Sequence, residues 1–176
     1  MVQNLNDFGE KKPIFIDANI FLYHAFNTND DAVSFLQKVE LSSFKASTSS
    51  LVLEEVFFKL LMQSASNYVE TVTVKQVKSI LRDDARREAI LQPLIEYRKY
   101  IGVLGDAGMK VFDLRGEDVL AGIEASDKYK LLVADAAHLA VMRRNKIEHL
   151  ASGDNDFSTI PDITLWSPFP ASTSTL

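Results

Sequence analysis

The chain contains no cysteine. Without a thiol there is neither a disulfide nor a thiolate metal site, and a cytoplasmic setting is the simpler expectation. No apolar run approaches the ~20 residues that a membrane-spanning helix requires. The opening MVQNLNDFGEKK lacks the apolar core of a secretion signal. Positive charge is also in short supply, since 19 Lys and Arg face 24 Asp and Glu for a net charge of −5. That balance argues against a general electrostatic grip on nucleic acid. It leaves room for a local basic patch, or for an acidic site whose bound cations reverse the local field. What is present is ordinary for a soluble globular protein, with 47% hydrophobic and 24% charged residues. The 176 residues suffice for one domain with a proper core.

Residues 1–12 read as a flexible lead-in and 167–176 as a flexible tail. Between them, 13–17 reads as a strand. Helix follows to about Val39, with Val33, Leu36 and Val39 at helical spacing. SFKASTSS (Ser43–Ser50) suggests a short strand ending in hydroxyls that can cap a helix. That helix, Leu51 to about Ser64, is apolar almost all round and is expected to be buried. A more polar helical stretch runs from about Val69 to Ile101, broken or restarted near Pro93, and Gly102, Gly105 and Gly108 mark loop. KVFDL (Lys110–Leu114), IEHLAS (Ile147–Ser152) and ITLW (Ile163–Trp166) read as strands, with helices over Glu117–Lys128 and Leu132–Arg144. Alternating strands and helices imply an α/β fold with a mainly parallel sheet of about four or five strands.

Acids stand where a plain core would carry none. Asp17 interrupts the apolar run IFIDANIFL, and its setting after a strand and before apolar residues does not suit a capping role. Glu54 and Glu55 lie in the apolar helix, and periodicity does not choose between them. Asp135 shares a helical face with Leu131, His138, Leu139 and Met142. Asp154 and Asp156 follow a strand in LASGDNDF. Singly, each has a structural explanation, as a first-turn helix acid or a turn former. Jointly, Asp17 and Asp154 sit at or just after the carboxyl ends of strands, where open α/β sheets bind ligands, and Asp135 and Glu54 or Glu55 lie in helices that can project into the same crevice. Clustered carboxylates repel one another unless hard cations such as Mg²⁺ or Mn²⁺ join them. Cations on a carboxylate cradle suit phosphodiester hydrolysis.

FIDANIFLY, STSSLVLEEVF, LLVADAAHLAVM and LASGDNDF, in that order, resemble the PIN-domain ribonucleases, in particular the VapC-like toxins. The resemblance covers most of 13–166 and implies a PIN-like α/β/α sandwich with Mg²⁺- or Mn²⁺-dependent endoribonuclease activity. It places the metal-holding, catalytic acids at Asp17, Glu55, Asp135 and Asp154, with Asp156 a further acidic position. Asn19 and Ser152 would support them. An RNA substrate, an antitoxin partner and a homodimer are implied in the same way. The chain is longer than toxin-type members, mostly through a helical insertion at about 65–105, so an RNA-processing nuclease without an antitoxin is an alternative.

Within that insertion Lys75, Lys78, Arg82 and Arg86 recur at helical spacing. They fit a phosphate-gripping ridge or a solvated face balanced by Asp83, Asp84 and Glu88. His138 reads as a packed, hydrogen-bonded residue, and Phe57, Phe58 and Trp166 as core. Two rival functions stand beside the nuclease. One is a PIN-fold module that binds RNA or protein with little catalysis. The other is a haloacid-dehalogenase-like phosphatase, whose acid two residues after the first Asp is missing here because that residue is Asn19.

Overall fold

The structure, a computed structural model, describes residues 2–9 and 11–169. Six strands form one sheet, parallel at every pairing: β1 (Val2–Asn4), β2 (Ile14–Ile16), β3 (Ala46–Ser49), β4 (Lys110–Phe112), β5 (His149–Ala151) and β6 (Thr164–Ser167). Their spatial order is β1-β6-β5-β2-β3-β4. The helices are α1 (Ala18–Ala25), α2 (Asp30–Glu40), α3 (Ser50–Ala65), α4 (Val74–Ile80), α5 (Asp84–Asp106), α6 (Gly116–Tyr129) and α7 (Val133–Arg144).

All three residues of β2 are buried although successive side chains point to opposite faces, so both faces of the sheet centre are covered. Its neighbour β3 is polar, ASTS, yet equally buried. The hydroxyls explain this: Ser47 Oγ donates to the Ile14 carbonyl at 3.0 Å and Thr48 Oγ1 to the Ile16 carbonyl at 2.9 Å. Each buried polar group therefore has a partner.

Several expectations change. Val2–Asn4 pairs with β6 as an edge strand, and Leu5 and Phe8 enter the core, so residues 2–8 are not a loose lead-in. This edge strand raises the count to six. Ser167 belongs to β6, and the Phe169 ring meets Tyr23 edge-on at 5.6 Å; residues 170–176 of the expected tail lie outside those described. Helix α5 continues through Pro93 and includes Gly102 and Gly105. Pro93 and Ala89, whose carbonyl loses its partner, are both exposed, so the freed group lies on a solvent-facing side of the helix. Helix α3 is only partly buried, with Glu54, Phe58 and Lys59 exposed.

The insertion has its own small apolar cluster, in which Ala65, Val77, Ile80 and Ile90 are buried and Leu61, Met62, Val69 and Val72 pack around them. Thr73 and Gln76 form a reciprocal capping box that starts α4. Helix α5 is tied to the main core by Tyr97, whose hydroxyl donates to the Phe21 carbonyl at 2.7 Å. Among the described residues no helix is long and apolar enough to cross a membrane.

Helices α6 and α7 lie close together because Gly122 has no side chain; a Cβ there would stand 3.2 Å from the Ala137 nitrogen. Beside this contact, Arg144 donates Nε to Asp118 Oδ1 at 2.8 Å and Nη2 to Oδ2 at 2.9 Å. Asp118 is 3% exposed, and the guanidinium holds its carboxyl below the usual range. A depressed carboxyl stabilises the fold above its unfolded pKa of about 3.9 and loses that contribution as pH falls through the lower folded value. Asp118→Ala should therefore cost about 2–4 kcal/mol, since Arg144 is left half-buried without its partner. Denaturant melts should show that cost constant above about pH 5 and shrinking only below about pH 4.

Candidate active site

The site forms where the chain reverses direction across the sheet. Strand β2 leads to β3 and β4 on one side, while β5 and β6 return on the other, so the β2/β5 boundary is a topological switch point. Asp17 follows β2 directly, and Ser152, Gly153 and Asp154 follow β5.

These residues are knotted together by hydrogen bonds. Ser152 Oγ donates to Asp17 Oδ2 at 2.7 Å, and Asn19 Nδ2 donates to the same oxygen at 2.6 Å and to Ser152 Oγ at 3.0 Å. The Gly153 N–H donates to Asn19 Oδ1 at 2.9 Å and the Asp154 N–H to Ser152 Oγ at 3.0 Å. Asp17 Oδ1 accepts the Ala18 N–H at 2.7 Å, so Asp17 does cap α1, contrary to the expectation from its apolar neighbours. The apolar context hid the cap because α1 begins at once with residues of the core. Three of roughly four lone-pair positions on Asp17 are thus filled from inside the protein. Asp154 caps the following 3₁₀ turn by accepting the Asp156 N–H, and Asp156 itself is exposed.

The other two acids come from helices. Ser49 caps α3 and sets Glu55 in its second turn, half-buried, whereas Glu54 faces solvent. Asp135 lies in the first turn of α7. Burial first, and then the like charges of Asp17, Asp154 and Glu55, push the Asp135 carboxyl up to about 6 against the opposing effect of His138. Burial likewise raises Asp17, opposed by His138 and by the hydrogen bonds from Ser152 and Ala18. Glu55 goes the other way, held at about 2 by His138 and Lys59 against its partial burial. Lys59 Nζ is 2.5 Å from Glu55 Oε1. His138 Nε2 stands 3.8 Å from Glu55 Oε2, an ion contact rather than a hydrogen bond. The imidazole is 1% exposed and neither ring nitrogen has a hydrogen-bond partner, so His138 is packed but not hydrogen-bonded as expected.

The four acids therefore share one electrostatic neighbourhood, although among the described residues no three His, Asp or Glu side chains stand close enough to hold a metal ion as they lie. The donor chemistry is all carboxylate oxygen, the kind that Mg²⁺ and Mn²⁺ take. Two neighbours escaped the sequence reading. Tyr23 covers Gly153, where a Cβ would stand 2.8 Å from the phenol oxygen, and burial followed by the Asp17 and Asp154 charges raises its hydroxyl pKa. Tyr23 and Lys59 each lie one helical turn beyond a candidate residue, Asn19 and Glu55, and that spacing was the available signal. The basic run, by contrast, is not one helix face. Lys75 and Lys78 lie in α4, Arg86 in α5, and Arg82 in the break between them.

The acids gather at the switch point of a parallel α/β sheet, the place where such sheets bind ligands. The PIN-domain family model matches residues 14–163, and the chain belongs to that family. No curated protein matches it. Among solved structures it is similar to DNA-bound VapBC from Salmonella typhimurium, with 11% identity over 90% of this chain and 99% of that one and a TM-score of 0.58. It is also similar to a toxin–antitoxin complex from Klebsiella pneumoniae, with 18% identity over 89% and 98% of the two chains and a TM-score of 0.52. A third is VapC20 from Mycobacterium tuberculosis, described as a Sarcin-Ricin loop cleaving toxin, at 18% identity over 84% and 95% and a TM-score of 0.50. At such identities the likeness shows a shared fold.

The raised Asp135 gives a test of the charge crowding. Because its folded value lies above the unfolded value near 3.9, its ionisation weakens the fold as pH rises from about 4 through about 6. In metal-free protein, Asp135→Asn should be more stable than wild type near pH 7.5, with the advantage gone below about pH 4. Guanidinium melts in EDTA across that range measure it, and an advantage that ignores pH would refute the crowding.

Proposed function

We propose that the chain is a Mg²⁺- or Mn²⁺-dependent endoribonuclease that hydrolyses RNA phosphodiester bonds at Asp17, Glu55, Asp135 and Asp154. The observation that carries this reading is the hydrogen-bonded knot at the β2/β5 crevice. It ties the Asp17 carboxylate and the Asp154 backbone to the same Ser152 hydroxyl, and Asp17, Asp154 and Glu55 all act electrostatically on Asp135. Bound divalent cations would supply activated water and neutralise charge on the scissile phosphate. The chain's own residues do the rest. Ser152 and Asn19 orient Asp17, leaving it one free lone-pair position toward the crevice. Lys59 and His138 keep Glu55 ionised and ready to bind a cation. Asp135, crowded by like charge, gains most from an incoming cation. Asp156 stands at the exposed rim as a further acid, and the Tyr23 hydroxyl remains a proton-bearing donor beside Gly153.

The toxin–antitoxin neighbours support an antitoxin partner for this chain, and the same reading includes a homodimer in the cytoplasm. The phosphatase alternative has no support in the site. Position 19 carries an amide that is spent on Asp17, Ser152 and Gly153, where a general acid would be needed.

Purified protein incubated with single-stranded and structured RNAs should cleave with Mg²⁺ or Mn²⁺ and stop on addition of EDTA. Asp17→Asn should lower the rate by at least ~100-fold, and Ser152→Ala, which only loosens Asp17, by roughly 10–100-fold. Cleavage indifferent to both EDTA and Asp17→Asn would end this reading.

A further inference from the structure

The α4 segment carries charge that the catalytic reading does not use. Residues 71–82 hold Lys75, Lys78 and Arg82 and no acid, within a chain of net charge −5. Neighbouring cations are neutralised: Arg86 stands 3.9 Å from Asp83 and Arg87 2.8 Å from Asp84. Lys75, Lys78 and Arg82 are exposed and have no carboxylate partner among the described residues. The three line one depression of about 530 Å³ with Val74 and Ser79. A solvated face would be expected to balance its charge locally, as α5 does. This one does not.

The placement of α4 gives the excess charge a direction. On α3, Glu55, Lys59 and Met62 are spaced i, i+4 and i+7 and form one stripe. Met62 packs against the small cluster beneath α4, alongside the buried Val77 and Ile80 of α4 itself. The side of α3 that bears Glu55 at the acid cluster therefore bears α4 two turns later. Seven residues of helix separate Glu55 from Met62 along the axis by about 10 Å, so the cations of α4 begin no nearer than roughly three nucleotides of stacked strand at ~3.4 Å each. Lys59, exposed and already at Glu55, lies between them.

We propose that Lys75, Lys78 and Arg82 form an exosite for the phosphates of single-stranded RNA, beginning about three nucleotides from the bond cut at the acid cluster. It rests on the ribonuclease reading for the identity of the strand. It adds that the α4–α5 insertion measures out substrate length. An RNA of four nucleotides or fewer would occupy the acid cluster alone, while one of about twelve would reach both regions. The contacts are to phosphate, so they favour length over sequence.

The test compares wild type with the triple variant Lys75→Glu, Lys78→Glu, Arg82→Glu and with a Lys75→Arg, Lys78→Arg control, each checked by circular dichroism and thermal melting. Binding of a fluorescent 12-nucleotide RNA is followed by anisotropy on an Asp17→Asn background, so that no cleavage is needed. The expected result is an affinity loss of at least tenfold and a salt-dependence slope shallower by about 2, the ~0.7 per contact of a single strand times three. The arginine control should bind like wild type. In the cleavage-competent protein, the triple variant should raise KM for the 12-mer and leave turnover of a 4-mer unchanged. Unchanged affinity and slope in a folded triple variant would overturn the exosite. So would competition by poly-glutamate equal to that by RNA, which would reassign the ridge to an acidic protein partner. If the RNA binds through these residues but is never cut with any divalent ion, the nuclease reading fails and the exosite stands.

Discussion

Everything at the crevice depends on one buried hydroxyl. Ser152 donates to Asp17 while accepting from Asn19 and from the Asp154 backbone, so a single oxygen joins the ends of β2 and β5. In the low-dielectric interior such bonds are strong when complete and costly when one member is missing. The sheet pairing of β2 with β5 brings the two strand ends into register, and the serine ties the Asp17 carboxylate at one end to the Asp154 backbone at the other. Without it, Asp17 would be a buried acid with too few partners. The Asp154 N–H would also lose its acceptor.

The neighbouring helices work against electrostatic preference. Glu55 is kept ionised by His138 of α7 and Lys59 of its own helix, while Asp135 is driven toward its neutral form by burial first and then by the acids around it. Two carboxylates in one site thus have opposite tendencies, Glu55 having His138 and Lys59 beside it and Asp135 combining burial with the charges of other acids. Such opposed shifts are characteristic of functional sites, and a fold with only stability to satisfy would have relieved the crowding. The close contact with Gly122 of α6 meets α7 at Ala136 and Ala137, next to Asp135, and the Asp118–Arg144 clamp holds the far end of the same helix, so Asp135 cannot easily withdraw from the repulsion.

Much of this was legible in the sequence. The alternation of apolar strands with periodic helices gave the fold, because each pattern follows from the period of its backbone. The four acid-bearing segments stood out because a charge in an apolar run has few structural excuses. Other features were hidden for physical reasons. Val2–Asn4 is a short edge strand with two polar residues out of three, and three residues are too few to show a period. Pro93 suggested a break, yet the freed carbonyl lies on a solvent-facing side and the helix continues. The cap on Asp17 was masked by apolar neighbours that belong to the core. Tyr23 was overlooked because its role comes from standing over Gly153, a contact between residues far apart in the chain.

The second apolar cluster has a consequence for how the molecule moves. Its four buried residues are separate from the main core, and a unit that small opens at a lower free-energy cost than the sheet. Opening there need not disturb the β2/β5 knot, because Tyr97 anchors α5 to α1 on the near side. The protein therefore joins a rigid acid cluster to a compliant arm. On the proposed ribonuclease reading, an RNA strand with an irregular backbone would be accommodated by the arm while the carboxylates keep their spacing.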